Sequence, residues 1–302
     1  MTSARLDDGH VAERMIEANG VELCTEAVGY PGDPPVLLVM GMSASMVWWE
    51  DVFCATLAQE RRFVIRYDHR DTGHSVTYPV GHPDYTASDL VADAAGVLDA
   101  YELDGAHIVG MSMGGALAQL LALDFPDRVL SLTLISTSPA TPGQRDLPPV
   151  QPRLRRFLAT VQVDWSDPAS VVDYLVDYWR VLCGEQRTFD EAHIRELARH
   201  DVARARHVAA AQNHGVLPDE NRARRPLSSI AAPTLVIHGT DDPMFPLQHG
   251  TALANEIPGA ELLSLQGAGH GLDPRDWETV THRIRHHTSP RVAGAMTADR
   301  SG

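Results

Sequence analysis

The sequence predicts an α/β fold, with a mostly parallel central sheet flanked by helices and a helical cap inserted after the sixth strand. Three observations predict it. Short apolar runs alternate with stretches of helical periodicity along most of the chain, the pattern of strands joined by crossover helices. The run Val36-Leu-Leu-Val-Met40 is apolar at consecutive positions, as a strand covered on both faces must be. The alternation stops once, after Ser138, and resumes at Thr234, which marks the intervening segment as an insertion. The expected boundaries are 1–138 and 229–287 for the core, 139–228 for the cap and 288–302 for a polar tail that frays.

Residues 13–17 and 21–28 read as strands joined at Asn19-Gly20, a dipeptide that tolerates the positive φ of a two-residue hairpin turn. A Pro/Gly/Asp turn leads to the strand 36–40, which stops at Gly41. Trp48, Trp49, Phe53 and Leu57 then suggest a helix packed on the sheet. The strand 63–67 runs into a polar loop, 68–75. Thr86-Ala-Ser-Asp89 has capping-box spacing, and Leu90, Ala94, Val97, Leu98 and Tyr101 follow at helical intervals. After the strand 107–109, a helix carrying Leu117, Leu120, Leu121 and Phe125 is apolar nearly all round and so should be buried. It ends at Pro126, and 130–135 is the sixth strand.

Five prolines between Pro139 and Pro152 mark a connector into the insertion. Asp167-Pro168 suits an N-cap with proline in the first turn, and Val172, Leu175, Val176, Trp179 and Leu182 form one face, read as cap core. Thr188-Phe-Asp-Glu191 has capping-box spacing for a charged helix reaching His207 or beyond, and Asn213-His214 is expected at a solvated helix end, with pocket lining as the alternative. The sheet resumes at 234–238, with a helix from about Leu247, a strand at 261–265 and a terminal helix around 277–284.

The chemistry concentrates at strand ends, where ligands gather in sheets of this kind. In Gly110-Met-Ser112-Met-Gly114 a serine sits between glycines where a strand turns sharply into a helix, so Ser112 stands exposed and Met113 opens the helix with free N–H groups. A serine hydroxyl needs a base within hydrogen-bond reach and a group to orient that base. The strand 234–238 runs into Gly239-Thr-Asp-Asp242, and the last strand into Gly267-Ala-Gly269-His270-Gly271, which supply a carboxylate and an imidazole in that order. Asp241 competes with Asp242 for the orienting role.

A formal net charge of −15, with all 25 basic residues arginine, argues against binding nucleic acid or an anionic membrane. Cys24, Cys54 and Cys183 are scattered and odd in number, which suggests reduced thiols. His69, His74 and His82 fit no metal spacing, so neither metal nor cofactor is expected. The first twenty residues lack the apolar core of a signal peptide and no run has the length of a membrane span, so a cytoplasmic protein, monomer or homodimer, is expected to act on a small molecule.

Residues from about 20 to 285 resemble an α/β-hydrolase of the capped kind, through Gly-x-Ser-x-Gly-Gly, Gly-x-x-Asp-x-x-x-Pro and Gly-x-Gly-His in that order. The resemblance implies Ser112 as nucleophile, His270 as general base and then acid, and Asp242, third after its glycine, as the orienting carboxylate. It also implies backbone N–H groups of Met42 and Met113 as the oxyanion hole. The family commonly has His-Gly-x where this chain reads Met40-Gly41-Met42. Asp68-His-Arg-Asp-Thr-Gly-His-Ser75 matches a family loop read as support for the elbow, with Asp71 where glycine is usual. The loops before the cap most resemble those of the aclacinomycin methylesterase subfamily. This implies a serine carboxylic-ester hydrolase, with a methyl ester on a bulky aromatic polyketide as the substrate type. Carbon–carbon bond hydrolases and cofactor-free haloperoxidases or perhydrolases share the triad, and a ligand-binding receptor with an idle triad is the reading from a different class.

Overall fold

The computed structural model describes residues 10–289, apart from 144, 219, 221 and 222. Its sheet has eight strands in the order β1-β2-β4-β3-β5-β6-β7-β8, where β1 is His10–Ala18, β2 Val21–Val28, β3 Pro35–Val39, β4 Phe63–Tyr67, β5 Ala106–Met111, β6 Val129–Ile135, β7 Thr234–Gly239 and β8 Glu261–Leu265. β1 and β2 pair antiparallel through a turn in which Asn19 and Gly20 both have positive φ, and β2 pairs antiparallel with β4. From β4 to β8 every pairing is parallel. The central strands are buried along nearly their whole length, including all of β4 and β7, as a sheet covered on both faces requires.

Two apolar clusters sandwich the sheet. One holds Leu37, Ile65, Ile108, Leu134 and Val236 against α2 (Ala87–Ala100) and α3 (Met113–Asp124). The other holds Val36, Leu38, Val109, Ile135 and Ile237 against α1 (Asp51–Ala58) and α8 (Trp277–His287). Successive residues of each strand thus serve opposite clusters, as the two-residue pleat dictates. α2 starts with the expected capping box at Thr86, and α3 is buried at nine of its twelve positions.

Between β6 and β7 the chain leaves the sheet and forms α4 (Pro152–Thr160), α5 (Pro168–Leu182) and α6 (Glu191–Arg204), followed by a 3-10 helix at Val208–Gly215. α7 (Gln248–Glu256) returns it to the sheet between β7 and β8. Val172, Val176 and Ala198 pack α5 on α6. Asp167 caps α5 as expected.

Three expectations need correction. The N-cap of α6 is Asp190, whose side chain accepts from the His193 N–H, and not Thr188. The same helix ends at Arg204, because Arg206 donates its N–H to Gly73 O at 2.9 Å and turns the chain toward the core. The expected fraying does not start at Thr288, which is buried and accepts from Arg62 Nε at 2.8 Å. Residues 290–302 of the expected tail lie outside the described residues. Among the described residues no helix is long and apolar enough to cross a membrane.

Candidate active site

Ser112 occupies the turn between β5 and α3 with φ 54° and ψ −119°, a left-handed backbone that costs a non-glycine residue energy and is held only where the surroundings fix it. They do so on both sides. The Ser112 N–H donates to Ile135 O at 2.9 Å, and its carbonyl accepts from Thr137 Oγ1 at 2.7 Å. The flanking glycines are sterically required, since a Cβ on Gly110 would lie 2.3 Å from Gly114 O and one on Gly114 would lie 2.1 Å from Val39 O.

The loop after β8 brings His270 to this turn. Its Nε2 lies 2.9 Å from Ser112 Oγ and its Nδ1 2.9 Å from Asp242 Oδ2, so all three side chains form one hydrogen-bonded chain. His270 and Asp242 are both almost fully buried. The second oxygen of Asp242 accepts the N–H groups of Met244 and Phe245 at 2.8 and 2.9 Å. Burial works against the Asp242 charge, but the neighbouring His270, then His238 and the Phe245 N–H, outweigh it and hold the carboxyl below its usual range. His238, buried 3.5 Å from the same carboxylate, donates Nε2–H to Phe245 O, and burial lowers its basicity. Asp241 faces elsewhere, its carboxylate accepting the Glu185 N–H in the α5–α6 loop. That loop and the histidine loop are locked together, with the His270 N–H on Leu182 O at 2.9 Å.

Gly41 follows β3 so closely against the elbow that a Cβ there would lie 3.3 Å from Ser112 Cβ. Of the two expected oxyanion donors, Met42 directly follows Gly41 and Met113 is the first residue of α3. The Met42 side chain is half exposed.

The loop 68–75 braces the β3 loop and the cap, where the sequence suggested the elbow. Asp68 accepts the N–H groups of Met46 and His74, and pairs with Arg204 of α6. His69 donates Nε2–H to Met40 O at 2.9 Å. Asp71 has φ 66°, which explains why glycine is usual there, and its carboxylate accepts from Tyr78 N, Tyr85 OH and Asn213 Nδ2.

Asn213 and His214 are not solvated. They are buried, and His214 bridges Ser43 N and Arg70 O. Trp179 departs from the cap-core reading too, because it stacks on Trp48 at 4.7 Å and lines a cavity of about 560 Å³. Met40, Met111, Gly269 and Gly271, the neighbours of Gly41, Ser112 and His270, form its end nearest the elbow.

Sequence reading missed α4 and the rings it contributes. Phe157 of α4 lies 6.1 Å from both Tyr174 and Tyr178 of α5, which are 5.8 Å apart, and all three rings are within 23° of parallel. Burial first, then Tyr174 and Asp242, pushes the Tyr178 phenol up within this three-ring cluster. The spacing of Tyr174 and Tyr178, one helical turn apart, was a visible signal for it.

The alpha/beta hydrolase fold model matches residues 34–272. Rhodomycin D methylesterase DauP of Streptomyces sp. (strain C5) is 35% identical over 294 residues, covering 91% of this chain and 97% of DauP. Rhodomycin D methylesterase DnrP of Streptomyces peucetius is 34% identical with the same coverage. Among solved structures, a hydrolase from Pseudomonas aeruginosa PA01 superposes with a TM-score of 0.70 at 28% identity, covering 92% of this chain and 99% of that one.

Proposed function

The chain belongs to the alpha/beta hydrolase fold family and is a hydrolase, and from that premise we propose that it cleaves carboxylic esters through Ser112, His270 and Asp242. One observation carries this reading: the continuous chain of 2.9 Å contacts from Ser112 Oγ through the His270 ring to Asp242, built on a strained turn. Ser112 Oγ attacks the ester carbonyl while His270 Nε2 accepts its proton, and Asp242 holds the ring and balances its charge. The N–H groups of Met42 and Met113 receive the negative oxygen, each worth about 3–4 kcal/mol of barrier. His270 then passes the proton to the departing alcohol. Water, deprotonated by the same nitrogen, attacks the acyl-enzyme, and the acid leaves as Ser112 recovers its proton.

For the substrate we propose a methyl ester on a bulky aromatic body. The two methylesterase relatives support this, as does the cavity of about 560 Å³, whose lining includes the rings of Trp48, Trp49, Trp179 and Phe189. Ser112→Ala is expected to abolish turnover of a short p-nitrophenyl ester and of an aromatic methyl ester, with the circular dichroism spectrum unchanged. Turnover by Ser112→Ala equal to that of the parent would overturn the reading.

A further inference from the structure

We propose that His214, delivered by the cap, is the positioning residue of the oxyanion loop. The inference rests on the ester-hydrolase reading, because only that reading gives the loop a catalytic duty.

Ser43 directly follows Met42 and has φ 60°, an unfavourable conformation for a residue with a side chain. Both of its polar groups are held by the 3-10 helix 208–215. The Ser43 N–H donates to His214 Nδ1 at 2.9 Å and its hydroxyl to Ala211 O at 2.7 Å. The other ring nitrogen of His214 donates to Arg70 O at 2.8 Å. A carbonyl can only accept and an N–H can only donate, so these partners fix one neutral tautomer. The ring is almost fully buried, packed edge-on against His69 at 5.8 Å and near Tyr85. The ionisable groups facing it are therefore His69, Tyr85 and Arg70, whose guanidinium is engaged by Asp93, with Asp71 behind them on Asn213 and Tyr85.

His69 grips the same loop at its other end, through Met40 O. The segment from Met40 to the strained Ser43 is thus clamped by one histidine from the core and one from the cap. If the Ser43 N–H lost its acceptor, the loop would relax toward an ordinary backbone conformation and the Met42 N–H would leave its place over Ser112. A displacement of about 1 Å in such a donor costs on the order of a hundredfold in rate.

The test compares two substitutions. In His214→Asn the amide oxygen replaces Nδ1 and still accepts from Ser43, whereas in His214→Gln the amide nitrogen replaces Nε2 and keeps only the bond to Arg70 O. On a p-nitrophenyl ester, His214→Asn is expected to keep kcat within about threefold, and His214→Gln to lose roughly ten- to a hundredfold in kcat with KM nearly unchanged. Hydrogen exchange at the Ser43 amide should stay slow in the first variant and become fast in the second. Equal kcat in both variants, or equal loss in both accompanied by equal drops in melting temperature, would overturn the positioning role. Ser112→Ala, run alongside, separates the two failures: if it turns over as well as the parent, the hydrolase reading falls and this proposal with it.

Discussion

Two residues carry the elbow's geometry through their lack of a side chain. Gly110 and Gly114 bracket Ser112, and each is pressed against backbone that cannot retreat, because the facing carbonyls of Gly114 and Val39 belong to α3 and β3. Gly114→Ala therefore forces either the helix or the strand to shift. It should cost about 1–3 kcal/mol of stability, the usual range for overpacking, read as a lowered urea midpoint. Gly215→Ala is the control, since a Cβ there meets nothing within 4 Å. If the two variants melt alike, the close packing of β3 and α3 is not what fixes the turn. At this scale the sequence was informative because the serine between glycines, a pattern common by chance on its own, is joined by a carboxylate and an imidazole just past two further strands. His214 and Asn213 were misread for the opposite reason. Nothing local distinguishes a polar pair in a solvated loop from one buried against Asp71 and Ser43, more than a hundred residues away in the chain.

Elements show the same contrast. The strands and the crossover helices followed from periodicity and capping, and α2 carries the capping box its sequence spells. The end of α6 did not follow, since no glycine or proline stops it; the stop is a tertiary hydrogen bond from Arg206 to Gly73. Besides the pair between Arg204 and Asp68, α6 is held by a buried carboxylate of its own. Asp201 accepts from Ser45 Oγ and, at 2.7 Å, from Trp48 Nε1. Burial raises the Asp201 carboxyl above its usual range, and the two donors only partly compensate. Asp201→Ala would leave the indole N–H and the serine hydroxyl without a partner in a dry setting, at a cost of about 1–3 kcal/mol. The expected outcome is a lower urea midpoint together with red-shifted tryptophan emission as Trp48 meets water. An unchanged midpoint would show that the stacking of Trp48 on Trp179 holds the cap without it.

For the whole molecule two histidines, the buried His214 and the half-buried His107, set a limit on the acid side. Burial, and after it the neighbouring His69, depresses His214 to about 3, while burial, Arg62 and His287 depress His107 to about 4. In the unfolded chain both rings take a proton near pH 6.5. Above that pH neither state is charged at these sites and their contribution to stability is complete. Below it the unfolded chain binds protons that the folded chain refuses, so stability falls with pH until the folded values near 4 and 3 are reached. Each ring adds at most about 1.4 kcal/mol per pH unit to that slope. Urea midpoints measured from pH 7.5 down to 5, above the range where most carboxylates titrate, should decline, and the decline should be shallower in His214→Asn, which keeps the Ser43 contact without a titrating ring. A slope identical in parent and variant would mean that His214 takes its proton in the folded state. Its contact with Ser43 would then break at mild acidity, so the protection of the Ser43 amide from hydrogen exchange would fall below pH 6.5 while the protein stayed folded.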